Sequence, residues 1–79
     1  MGHGVLLVDD EATLARNVQR FLERDGYDVR TAATLREGWR QFEEFRPDVL
    51  LLDLALPDGN GLDLLARIRA QDRQVKVVI

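Results

Sequence analysis

Two short apolar runs, each ending abruptly in acid, constrain this chain more than any other feature. Val5-Leu6-Leu7-Val8 runs straight into Asp9-Asp10, and Val49-Leu50-Leu51-Leu52 runs into Asp53. A strand that faces water on one side alternates polar and apolar residues. An unbroken apolar run is buried on both faces, as in parallel sheets covered by helices. Val75 to Ile79 is a third run of this kind, apolar except for Lys76. Tyr27 to Ala32 alternates instead, which suits a half-exposed edge strand.

The segments between these runs have helical periodicity. From Glu11 to about Arg24, Leu14, Ala15, Val18, Phe21 and Leu22 fall on one stripe, with Arg16, Arg20, Glu23 and Arg24 outside it. Gly26 supplies the left-handed residue that ends this helix. Thr34-Leu35-Arg36-Glu37 reads as a capping box, in which the Thr34 hydroxyl caps the helix start and Glu37 reaches back. The helix it opens carries Leu35, Trp39, Phe42 and Phe45 toward the core and stops at Arg46-Pro47. Leu56 to Gly61 is dense in turn residues and reads as a loop, with Gly59 and Gly61 serving its geometry. Leu62 to about Ala70 is a third helix, with Leu62, Leu65, Ala66, Ile68 and the Arg69 stem toward its buried side. Strand and helix therefore alternate throughout, which implies an α/β fold of parallel strands joined by right-handed helical crossovers. No internal repeat or linker divides residues 1–79.

Composition removes several function classes. Among 79 residues there are 11 basic and 14 acidic ones, so no positive surface for nucleic acid is expected. The absence of Cys excludes disulfides and thiolate metal sites. The apolar runs are far too short to span a membrane. The Met1-Gly2-His3-Gly4 start has no signal-peptide character, and Leu6 stands where a myristoylation signal needs Ser or Thr. A cytoplasmic protein is expected. His3 is expected to be solvated.

Ligands of open parallel sheets bind beyond the carboxyl ends of the strands. If the two acid-terminated strands are neighbours, Asp9, Asp10 and Asp53 converge there. Carboxylates this close repel unless a cation sits among them or a proton is taken up. An all-oxygen donor set favours Mg2+ over a soft metal. A carboxylate beside such a cation can also act as a nucleophile toward phosphorus.

The residues Val5-Leu6-Leu7-Val8-Asp9-Asp10-Glu11 resemble the opening motif of bacterial response-regulator receiver domains. Asp53-Leu54-Ala55-Leu56-Pro57-Asp58-Gly59-Asn60-Gly61 is similar to the phosphorylation motif of that family, and the spacing between the two also fits. The resemblance implies a flavodoxin-like fold with strand order 2-1-3-4. It implies that Asp53 is the phosphoacceptor. It further implies that Asp10, Asp53 and the Ala55 carbonyl hold Mg2+ directly, with Asp9 acting through water, and that Glu11 caps the first helix. The phosphodonor would be a sensor histidine kinase, docked on the charged first helix, and the output a transcription domain elsewhere in the protein.

The family also uses a Ser or Thr after its fourth strand and a Lys after its fifth. Lys76 lies inside the fourth strand and cannot be that Lys. On this reading residues 1–79 are the N-terminal part of a single receiver domain, incomplete by the fifth strand and the last two helices. A fourth strand left as an open edge, beside a bare sheet face, implies a dimer or higher assembly. Two rival readings remain. A phosphohydrolase of the haloacid-dehalogenase type needs a second acid two residues after its nucleophile, where this chain has Ala55, so no enzyme activity is expected. A phosphate-independent interaction fragment would keep the acidic pocket without using it.

Overall fold

A computed structural model describes residues 3–79; the Met1-Gly2 part of the targeting argument lies outside these residues. The elements are β1 (Gly4–Val8), α1 (Ala12–Arg24), β2 (Asp28–Ala32), α2 (Leu35–Phe45), β3 (Val49–Leu52), β4 (Ala55–Leu56), β5 (Gly59–Asn60), α3 (Gly61–Gln71) and β6 (Lys76–Val78). Four strands form one parallel sheet in the order β2-β1-β3-β6, the expected arrangement with β6 in fourth place. The two apolar runs are therefore neighbours at the centre, and β2 and β6 are the edges.

Alternate residues of the central strands serve opposite faces. Leu6, Val8, Leu50 and Leu52 point toward α2 and α3, where they pack with Phe42, Leu64, Ile68 and Val75 in the main core. Phe42, Leu6, Leu50, Ile68 and Val8 are fully enclosed, and burying each such side chain contributes about 1.5–3 kcal/mol. Trp39, Phe45 and Leu35 pack against this cluster without being fully buried. On the other face, α1 is seated chiefly by Ala15. Leu14 and Phe21 of the α1 stripe are instead 45% and 65% exposed. Val49 and Leu51 are half-buried and Val78 and Ile79 exposed, so the face is bare only in part.

The helix ends are built much as the residue types suggest, with two corrections. Gly26 takes φ +91°, and the Gly26 and Tyr27 N–H groups donate back to the Glu23 and Leu22 carbonyls at 3.1 and 3.2 Å, closing α1. Glu11 stands at the α1 N-cap, but its side chain makes no capping bond. Its own N–H donates to Asp9 Oδ1 at 2.9 Å. Thr34 Oγ1 accepts from the Glu37 N–H at 3.0 Å as expected. The Glu37 carboxylate does not reach back, because Arg40 and Gln41 one turn further on engage it. That ion pair holds the Glu37 carboxyl below its ordinary range, through the Arg40 hydrogen bond first. α2 stops before Pro47 as expected: after Phe45, Arg46 leaves the helical region for the left-handed conformation, with φ 51°.

The segment after β3 departs further from the loop expected for Leu56 to Gly61. It contains a small antiparallel ladder, pairing Ala55 with Asn60 and Leu56 with Gly59. α3 then begins at Gly61 and runs to Gln71, capped by the Asn60 side chain, which accepts from the Leu62 N–H at 2.8 Å. Its buried residues are Gly61, Leu64 and Ile68. Leu62 and Ala66, expected to face inward, are exposed. Gly61 sets this rotation, because it lies flat against the β3 end. A Cβ there would stand 2.6 Å from the Asp53 carbonyl oxygen and 2.9 Å from Leu54 Cα. β6 is shorter than the Val75–Ile79 run. Arg69 ties α3 to its approach by donating to the Val75 carbonyl at 2.6 Å.

Gly61→Ala would force a methyl group against the Asp53 and Leu54 backbone, and overpacking of this kind costs about 1–3 kcal/mol. We expect a lowered urea midpoint. An unchanged midpoint would mean that the junction between β3 and α3 yields freely.

Candidate functional site

The pairing of β1 with β3 brings the acids together. Val8 stands opposite Leu52, so Asp9-Asp10 and Asp53 emerge side by side at the carboxyl end of the sheet. Backbone bonds continue past the strand ends. The Asp53 N–H donates to the Val8 carbonyl and the Asp9 N–H to the Ala32 carbonyl, each at 2.9 Å. Two carboxylates are also held by the backbone that follows them. Asp9 Oδ1 accepts from Glu11, and Asp53 Oδ1 accepts from the Ala55 N–H at 3.2 Å. Such turns come naturally to Asp.

One carboxylate oxygen from each of Asp9, Asp10 and Asp53 lies within 4.8 Å of the other two. Asp9 and Asp53 are half-buried and Asp10 is exposed. These acids open onto a cleft of about 680 Å3 whose apolar wall includes Leu7, Leu14 and Leu51. The donor set fits a small hard cation: it is all oxygen, convergent, and open enough for the ion to keep part of its water, as Mg2+ requires. Of the expected site residues, the three acids converge. Ala55 adjoins them as an exposed residue whose N–H is spent on Asp53. Lys76 pairs with Val49 at the opposite end of the sheet, which keeps it away from the acids. His3 is exposed beside Asp48.

The sequence reasoning missed Asp58. Its two carboxylate oxygens accept the N–H groups of Leu35 (2.7 Å) and Arg36 (3.1 Å), the first residues of α2. These bonds, led by that from Leu35, hold the Asp58 carboxyl below its ordinary range. Asp58 occupies the turn of the β4–β5 ladder, in the same segment as Asp53 and Ala55. Its carboxylate beside a turn glycine looks like any solvated loop acid, so no local pattern could have revealed a partner on another element.

The family model "Response regulator receiver domain" matches residues 5–79. The transcriptional regulatory protein TrcR of Mycobacterium tuberculosis is 46% identical over 86% of this chain and 26% of its own length. The chemotaxis protein CheY of Thermotoga maritima is 32% identical over 100% of this chain and 67% of its own length. The chain thus spans about a quarter of the one relative and two thirds of the other. Among solved structures, the response regulator TrrA of Thermotoga maritima in complex with Mg2+-BeF superimposes with a TM-score of 0.90 at 28% identity, covering 100% of this chain and 68% of that one. TrrA in complex with the histidine kinase ThkA gives a TM-score of 0.86 at 28% identity, over 98% of this chain and 66% of that one. With the parallel β2-β1-β3-β6 sheet and the acids at its carboxyl end, these matches establish that the chain belongs to the response-regulator receiver domain family of two-component signalling.

Proposed function

We propose that Asp53 accepts a phosphoryl group from the phosphohistidine of a sensor histidine kinase, in the cytoplasm, and that the whole protein reports this state through a transcription output domain. The observation that carries the reading is the convergence of Asp9, Asp10 and Asp53 at the carboxyl ends of two adjacent strands. An Asp53 carboxylate oxygen attacks phosphorus, the P–N bond breaks, and the imidazole leaves with its electron pair. The product is an acyl phosphate on Asp53. Asp10, Asp53 and the Ala55 carbonyl would hold Mg2+, with Asp9 acting through water; when bound, the ion supplies positive charge against the phosphoryl oxygens. Asp53 is ready for this role, because its backbone is pinned by Val8 and its side chain by the Ala55 N–H. Kinase docking falls to α1, whose exposed Phe21 and Leu14 adjoin the outward charges of Arg16, Arg20 and Arg24. The structure of TrrA with the kinase ThkA supports such a partnership for a related domain.

Mg2+ at about 100 times its dissociation constant should stabilise the fold by roughly 2.7 kcal/mol, and Asp10→Asn should remove most of that gain. Coincident thermal melts with and without Mg2+ would count against the pocket.

In a polypeptide carrying the whole domain, acetyl phosphate with Mg2+ should add one phosphoryl group to Asp53, and Asp53→Asn should abolish it. Residues 1–79 alone should take up little or no label. The family's Ser or Thr and its Lys are absent from them, and a single donor to a developing charge is worth about 10²–10³-fold in rate. Intact-mass measurement reads both cases. A whole domain that folds, binds Mg2+ and stays unlabelled would favour a phosphate-independent interaction role.

Residues 1–79 by themselves should also associate. Val78 and Ile79 are exposed, and β6 is a sheet edge. Light scattering over a concentration series should show at least a dimer, and a cooperatively melting monomer would contradict this.

A further inference from the structure

We propose that Asp58 is a positioning residue for the acidic site: it fastens the segment carrying Asp53 and Ala55 to the start of α2, and so links cation binding to the order of that helix terminus. The proposal rests on the reading of the acidic pocket as a cation site.

The segment from Asp53 to Gly61 is held at three places. At its base the Gly61 N–H donates to the Leu54 carbonyl at 2.7 Å, and the Ala55 N–H donates to Asp53. In its middle Leu56 is buried in the main core. At its tip the Asp58 carboxylate spans the Leu35 and Arg36 N–H groups. Next to it, Gly59 at φ +145° lies so close to α2 that a Cβ there would meet the Leu35 side chain at 2.8 Å. Tip and base are connected by the Ala55–Asn60 ladder, so movement at one is felt at the other.

The α2 terminus is fully engaged by these contacts. Asp58 takes the first two N–H groups, Thr34 takes that of Glu37, and the Gly38 N–H makes the first bond within the helix. The terminus is thus closed to an outside anion, and its partial positive charge is matched by a carboxylate from the site segment. Without Asp58 the tip keeps only the packing of Gly59 on Leu35, and a cation that uses Ala55 must order the segment further as it binds. Groups that hydrogen-bond a metal's ligands commonly change its affinity 10–100-fold; Asp58 bonds none of the acids and acts through the segment, so its effect belongs at the lower end of that range. Linkage requires the reverse effect as well: a bound cation must tighten the α2 terminus.

Helix capping alone would give Asp58 a purely structural role, and Thr34 provides the control, since its hydroxyl caps the same terminus through the Glu37 N–H and not from the site segment. Mg2+ is titrated into the protein and into the variants Asp58→Ala, Asp58→Asn and Thr34→Ala, following the amide resonances of Asp10 and Asp53. Hydrogen exchange at Leu35 and Arg36 is measured in the unmutated protein with and without Mg2+. Asp58→Ala should weaken Mg2+ binding by roughly tenfold, Asp58→Asn by less, and Thr34→Ala, which loosens the terminus but leaves the Asp58 bonds in place, by less than Asp58→Ala. Mg2+ should slow exchange at Leu35 and Arg36. Equal Mg2+ affinity in Asp58→Ala and the unmutated protein, or an equal loss in Thr34→Ala, would overturn the role of Asp58. Should Asp58→Ala not fold, unchanged exchange at Leu35 and Arg36 on adding Mg2+ would overturn it. If Mg2+ moves neither the Asp10 nor the Asp53 resonance in the unmutated protein, it is the cation reading of the pocket that fails.

Discussion

The parallel register between β1 and β3 governs both the core and the site. Val5 stands opposite Val49 and Val8 opposite Leu52, so Leu6, Val8, Leu50 and Leu52 share one face. Because side chains alternate, a slip of one residue would turn one strand's set away from α2 and α3. The same slip would move Asp53 out of step with Asp9. The hydrophobic effect therefore does the alignment on which the carboxylates depend, although none of them is buried. The polar ends are held by backbone bonds that extend the ladder by one residue, from Asp53 to Val8 and from Asp9 to Ala32.

The segment following β3 shows how a polar site is kept rigid beside such a core. Gly61 brings the first turn of α3 against the Asp53 backbone, where a side chain would not fit. That contact lets Asn60 cap α3 while Leu56 stays anchored among apolar neighbours. Asp9 and Asp53 each spend one oxygen on a nearby N–H and keep another for a ligand. The carboxylates are oriented in advance and remain accessible to water, which favours a partly hydrated ion over a stripped one.

Much of this was legible in the residues because it follows from periodicity and from local chemistry. The buried strands, the Thr34 cap, the Gly26 terminus and the acids that follow Val8 and Leu52 all have short-range signatures, while the convergence of Asp9, Asp10 and Asp53 follows only once β1 pairs with β3. Failures arose where tertiary partners decide. Leu14 and Phe21 look like core by spacing, yet the sheet face beneath α1 takes up chiefly Ala15. The rotation of α3 depends on a backbone contact at Gly61, and no hydrophobic count would find it. Glu37 had a helix terminus behind it and Arg40 ahead, and the cation won. The partners of Asp58 lie on another element, beyond the reach of any pattern read along the chain.

The central position of β1 has a consequence for how the chain acquires its structure. Gly4–Val8 is the first strand among the described residues, and both of its neighbours come later, β2 after α1 and β3 after α2. No pair of strands in the main sheet is joined by a tight turn, and the β4–β5 hairpin lies outside it. Every main-sheet pairing must close a loop containing a helix, and that loop entropy comes before any contact rewards it. On a ribosome β1 would therefore emerge as an unpaired apolar segment and wait for Asp28–Ala32 on one side, and longer still for Val49–Leu52 on the other. Meanwhile α1 and α2 can begin to form, since their end contacts at Gly26 and Thr34 are local. Collapse onto the β1–β3 pair would then create the core and gather the acids in a single cooperative step.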